Sequence, residues 1–187
     1  MERAQHKTEI NELADQIYET DYDKGALSDA TLTTTKQKVN KVYPDAEYID
    51  MGYGRIVLYF NTPPHRSLTQ DEEKIIDDGI VIKIAYNNCK PDGDDGSLQN
   101  STELYYHRDA NISLPLAPIL DYQQTGGEPR WVMMPARLQR PSITHINRVI
   151  EENMPNLPRT NDLYSKSSWG MTTADRIECI DYGRLSV

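Results

Sequence analysis

The chain has 187 residues, enough for one domain or for one domain with an appended helical segment. A net charge of −9 without any block of like charges argues against a general nucleic-acid binder, which needs a Lys/Arg-rich face to displace counterions. No apolar run approaches the ~20 residues that span a bilayer, and the amino terminus lacks a signal-peptide core. Cys89 and Cys179 are too few for a disulfide scaffold and lack metal-ligand spacing, so reduced thiols in a soluble, cytoplasmic protein are expected. A hydrophobic fraction of 37% still supports a real core, and 12 Tyr against one Phe imply rings at partly wet positions.

In chain order, residues 2–20 predict an amphipathic helix, with Ile10, Leu13, Ile17 and Tyr18 at helical spacing. A second helix is expected from Ser28 or Asp29 to about Tyr43, where Pro44 stops it. From Glu47 the pattern changes to a strand, the turn Gly52-Tyr53-Gly54, and a second strand from Arg55 to Phe60. Residues 61–78 read as a loop with one helical turn, and residues 79–86 as a buried strand carrying a lone Lys83. After an Asn/Pro/Gly/Asp-rich loop at 87–97, a helix is expected from about Asn100 to Asp109. Leu116 to Tyr122 and Arg130 to Pro135 read as strands joined by Thr125-Gly126-Gly127, residues 143–154 as a helix, and residues 177–180 as a final strand. The class is α+β.

Several residues carry chemistry. The ammonium of Lys83 inside Val81-Ile82-Lys83-Ile84-Ala85 is costly to bury unless a carboxylate or phosphate meets it, the alternative being the wet face of a half-exposed strand. Glu103 lies on the next helix, where Asn100 and Glu103 fit a capping box. Glycines at 52 and 54 let backbone amides approach a phosphate closely, or simply make a hairpin turn. Trp131-Val132-Met133-Met134-Pro135-Ala136 reads as a core strand. His107-Arg108-Asp109 reads as a helix end.

In this order, Gly52-Tyr53-Gly54, Lys83, Glu103, the strand at 131–136, Asp162 and Asp181-Tyr182-Gly183 resemble a protein-kinase core across residues 47–187. The likeness is to short kinase-like proteins of viral and prokaryotic origin. It implies an antiparallel-sheet amino-terminal lobe with one helix and a hinge over residues 47–140, and a truncated carboxy-terminal lobe over 141–187. Residues 1–46 are then a helical extension that either covers the amino-terminal lobe or makes a homodimer or other protein contact. The resemblance implies ATP and Mg²⁺ as ligands: Gly52, Gly54, Lys83, Glu103, Met133 and Met134 for the nucleotide, Asp162 with Lys83 for catalysis, and Asp181 with Ser168 for the metal.

Ser167 or Ser168 stands where kinases carry a metal-ligand Asn, and the chain stops four residues after Gly183, before any activation segment. The expectation is therefore a pseudokinase-type regulator that binds nucleotide with weak or no phosphotransfer. An active minimal phosphotransferase, and a non-enzymatic viral or interaction module that kept only the fold, are the alternatives.

Overall fold

Along residues 80–85 Ile alternates with Val81, Lys83 and Ala85, and this period of two divides the molecule into layers on either side of one sheet. The computed structural model describes residues 2–19, 29–51, 54–61, 64, 68–86, 96–108, 112–124 and 127–183. Helices α1 (Glu2–Tyr18) and α2 (Asp29–Val42) precede strands β1 (Glu47–Met51) and β2 (Arg55–Phe60). A single helical turn, α3 (Gln70–Glu73), leads to β3 (Ile80–Ala85), α4 (Gly96–Arg108), β4 (Asp121–Tyr122), β5 (Trp131–Pro135) and α5 (Ile143–Asn153). Two 3₁₀ turns, Asp162–Tyr164 and Lys166–Ser168, then run into a hairpin of β6 (Trp169–Met171) and β7 (Ile177–Cys179).

Strands β1 to β5 form one antiparallel sheet in the order β1-β2-β3-β5-β4, and β6 and β7 pair separately, so the α+β class is as expected. One face of the sheet presents Ile56, Leu58 and Phe60 from β2, Ile80, Ile82 and Ile84 from β3, and Trp131 and Met133 from β5. Helix α1 lays Ile10, Leu13, Ala14 and Ile17 against that face, and α2 adds Val39. The heptad-like spacing on α1 gives it the apolar stripe that such a surface needs. Polar ties hold it in register: Trp131 Nε1 donates to Asn11 Oδ1 at 2.8 Å, and Arg130 pairs with Asp15 at 2.7 Å. Helices α1 and α2 thus cover this face of the sheet.

A second core lies on the other side of the sheet. Ile146 and Ile150 of α5 pack with Leu114, Met134, Leu163, Trp169, Cys179 and Tyr182. Among the described residues, no helix is long and apolar enough to cross a membrane.

The structure differs from the sequence reading at three elements. Helix α4 begins at Gly96 rather than near Asn100. The strand expected from Leu116 shrinks to Asp121–Tyr122 because Pro115 and Pro118 cannot donate to a ladder, and Leu116 instead bridges Cys179. Residues 169–171, expected as loop, pair with β7. The turn residues Thr125 and Gly126, together with Gly52, Cys89 and Asp109, lie outside the described residues.

Leu13→Ala is expected to lower the unfolding free energy by about 2–5 kcal/mol, the usual range for an emptied core leucine site. Glu12→Ala, one position away on the exposed side, is expected to stay within about 0.5 kcal/mol in the same urea titrations.

Candidate functional site

Strands β2 and β3 place Val57 opposite Lys83 and Arg55 opposite Ala85, all on the face turned away from α1. Helix α4 crosses this face with an unusual inner side, since its buried residues are Gly96, Ser97, Gln99, Asn100 and Glu103. Only charged or hydrogen-bonding groups on the sheet can satisfy such a surface. Lys83 Nζ meets Glu103 Oε1 at 2.7 Å, with the two side chains 6% and 0% exposed. The same ammonium donates to the Ile180 carbonyl at 2.5 Å. Asn100 lies inside the helix and donates to the Pro129 carbonyl at 3.0 Å, which removes the capping-box alternative for Glu103.

A second cation joins the pair. Arg55 Nη1 donates to Asn100 Oδ1 at 3.1 Å and lies 3.0 Å from Glu103 Oε2, while Nη2 meets Asp181 Oδ1 at 2.6 Å. Lys83 Nζ is 4.0 Å from that same Asp181 oxygen. Burial alone would lower the Arg55 pKa, but the carboxylates of Glu103 and Asp181 outweigh it and hold the guanidinium above its ordinary value. The asymmetry among the acids is marked. Glu103 is sealed, whereas the Asp181 side chain is 52% exposed.

Close backbone approaches fix this geometry. A Cβ on Gly96 would stand 1.9 Å from the Gly54 carbonyl oxygen, so α4 can rest on the start of β2 only with glycine there. A Cβ on Gly183 would stand 2.9 Å from the Gln99 backbone, which seats the Asp181-Tyr182-Gly183 turn directly on α4. Tyr182 is buried in the second core and donates to the Ala117 carbonyl at 3.0 Å, and its desolvated phenol is shifted upward. From the other side, the Ile180 and Asp181 amides both donate to the Ser168 carbonyl, at 2.8 and 3.3 Å.

Beside the cluster is a cavity of about 390 Å³. Its walls are apolar at Ile49, Val57, Val81, Met134, Leu138 and Ile180, and charged at Arg55, Lys83, Arg137, Arg140 and Asp181. A bulge between Tyr48 and Asp50 gives β1 an extra residue and leaves Ile49 at the rim. Arg137 is held by Glu178 at 2.8 Å, whereas Arg140 Nη1 donates to the Trp169 carbonyl at 2.7 Å and has its pKa lowered by desolvation.

Lys83, Glu103 and Asp181 thus come together as anticipated. Met134 lines the cavity, but Met133 points to the opposite face and packs in the core beneath α1, because adjacent strand residues alternate. Gly54 is buried, and its carbonyl accepts from the Tyr86 amide at 2.8 Å. Gly52 is outside the described residues. Asp162 is exposed on its 3₁₀ turn and does not line the cavity. Ser168, anticipated as a metal ligand, is buried and donates its hydroxyl to the Asp162 carbonyl at 2.8 Å, and Ser167 is the serine at the cavity.

Sequence reasoning missed Arg55, Arg137 and Arg140. For Arg55 the signal was present: like Lys83, it is a lone cation bordering an apolar strand run. Among the described residues, no group of three or more His, Cys, Asp or Glu side chains is placed to hold a metal ion.

Glu103→Ala, which strands two buried cations, is expected to lower the unfolding free energy by about 3–5 kcal/mol in urea denaturation. Asp181→Ala should cost far less, since Asp181 is half exposed and Arg55 keeps Asn100 and Glu103. Comparison with known proteins finds no family model that matches this chain and no curated protein that matches it.

Proposed function

We propose that this chain is a kinase-like nucleotide-binding protein that acts as a regulator with little or no phosphotransfer. The observation that carries the proposal is the cavity itself. In a chain of net charge −9, one apolar slot gathers four cationic side chains at its walls, two of them bound to a sealed glutamate. A ligand suited to it has a flat apolar part and an anionic part, which describes an adenine nucleotide.

In this reading Val57, Val81, Met134 and Ile180 form the faces against which the base lies. Lys83, oriented by Glu103, takes phosphate oxygens at the deep end. The sheet order, with one helix supplying a buried carboxylate to a strand lysine, agrees with a kinase-like amino-terminal lobe over residues 47–140. Residues 141–187, carrying Asp162 and the Asp181 turn, would be the carboxy-terminal part.

Phosphotransfer needs a base facing the acceptor hydroxyl and a full metal-ligand set. Asp162 lies off the cavity, and the residue at its edge is Ser167, whose hydroxyl is a poorer ligand than an Asn carbonyl. These two positions favour binding over catalysis.

ATP at millimolar concentration, supplied both with and without magnesium, is expected to raise the melting temperature by linkage, and Val81→Trp should remove the shift by filling the slot. No shift for the wild-type chain in either buffer would sink the reading. With γ-labelled ATP, label transfer by the wild-type chain is expected to stay at background, and transfer that Lys83→Ala abolishes would favour the active-enzyme alternative.

A further inference from the structure

A magnesium ion at Asp181 would need several oxygen donors gathered around it at close to octahedral geometry. The donor set here does not fit one. Asp181 Oδ1 is engaged by Arg55 Nη2 at 2.6 Å, and the Ser168 hydroxyl is spent on the Asp162 carbonyl. No other carboxylate lines the cavity among the described residues.

Arg55 is also poorly placed to step aside. Its side chain is 6% exposed, pinned by Asn100 at 3.1 Å and facing Glu103 at 3.0 Å. A dication brought to Asp181 would sit beside this fixed positive charge, and in a partly desolvated site that repulsion is strong.

We propose that Arg55 takes the place of the divalent cation, so that the cavity binds a nucleoside polyphosphate in metal-free form. Phosphate oxygens displace Asp181 from Arg55 when the ligand enters. The inference rests on the nucleotide reading above and specifies the form of the ligand. Lys83 donates to Glu103 Oε1 and Arg55 Nη1 lies 3.0 Å from Oε2, so one buried carboxylate holds both cations where they line the cavity. Asp181 is the movable partner, its side chain being half exposed. The planar guanidinium suits a phosphate as well as a carboxylate, so the exchange swaps one anion for another and breaks no covalent bond.

Calorimetric titration of the full chain with ATP in excess EDTA, and again in excess magnesium chloride, tests this. Binding is expected to be about tenfold or more tighter in EDTA than in excess magnesium, which converts nearly all of the ATP to its magnesium complex. Asp181→Asn, which removes the competing carboxylate, should bind ATP in EDTA at least as tightly as wild type. Arg55→Gln should bind about tenfold or more weakly in EDTA, the loss of one charge-assisted contact.

Wild-type binding that is as tight or tighter in magnesium, or an Asp181→Asn chain that no longer binds in EDTA, overturns the role of Arg55 and leaves nucleotide binding intact. An absence of binding in both buffers removes the nucleotide reading and this inference with it. The wild-type and Asp181→Asn arms decide the matter even where Arg55→Gln fails to fold.

Discussion

A lysine sealed in a strand and a glutamate sealed in a helix impose the arrangement of everything around them. Neither charge survives burial alone, so β3 and α4 must meet at one register and one distance, 2.7 Å between Nζ and Oε1. Once that pair is fixed, the polar inner face of α4 is committed to the sheet. Arg55 is drawn in as a second counter-charge, and the Ile180 carbonyl is held against the Lys83 ammonium. The cavity is the space left beside this cluster. A buried ion pair of this kind contributes little net stability compared with an apolar substitute, but it excludes most other packings of the same elements.

The electrostatic layout follows from the same constraint. The chain carries a net charge of −9, whereas the few cations that line the cavity are each tethered by a specific acceptor: Glu103 for Lys83, Asn100 and Asp181 for Arg55, Glu178 for Arg137, and a carbonyl for Arg140. An approaching anion meets repulsion from the molecule as a whole and attraction only at close range. Such a field restricts binding to ligands whose shape fits the slot, because long-range steering does not assist them.

Legibility in the sequence tracked the kind of signal each element carries. The strands at 55–60 and 80–85 and the helix α5 were readable because apolar periodicity decides them. Helix α4 was mistimed because its buried face is Gly, Ser, Gln, Asn and Glu, which periodicity reads as loop or solvent. Lys83 was legible because a charge inside an apolar strand demands a partner, whereas Glu103 and Asp181 were expected only through the kinase-like order of residues. Met133 shows the opposite limit: the kinase-like resemblance suggested both methionines, and only the strand's alternation, set by the pairing of Ile82 with Met133, says which one faces the cavity. The hydroxyls of Ser167 and Ser168 could not be told apart by sequence, since a single 3₁₀ turn decides which is buried.

The covering of the sheet by α1 also bears on how the chain acquires its structure. Asn11 and Trp131, which hydrogen-bond to each other, are 120 positions apart. During synthesis the apolar stripe of α1 emerges long before β5 exists to receive it. The first core can therefore close only after most of the polypeptide has been made. Closure over such a separation is a late event with a large loop entropy to overcome. Until then Ile10, Leu13 and Ile17 remain open to other partners, and refolding at high protein concentration is the condition under which that delay matters most.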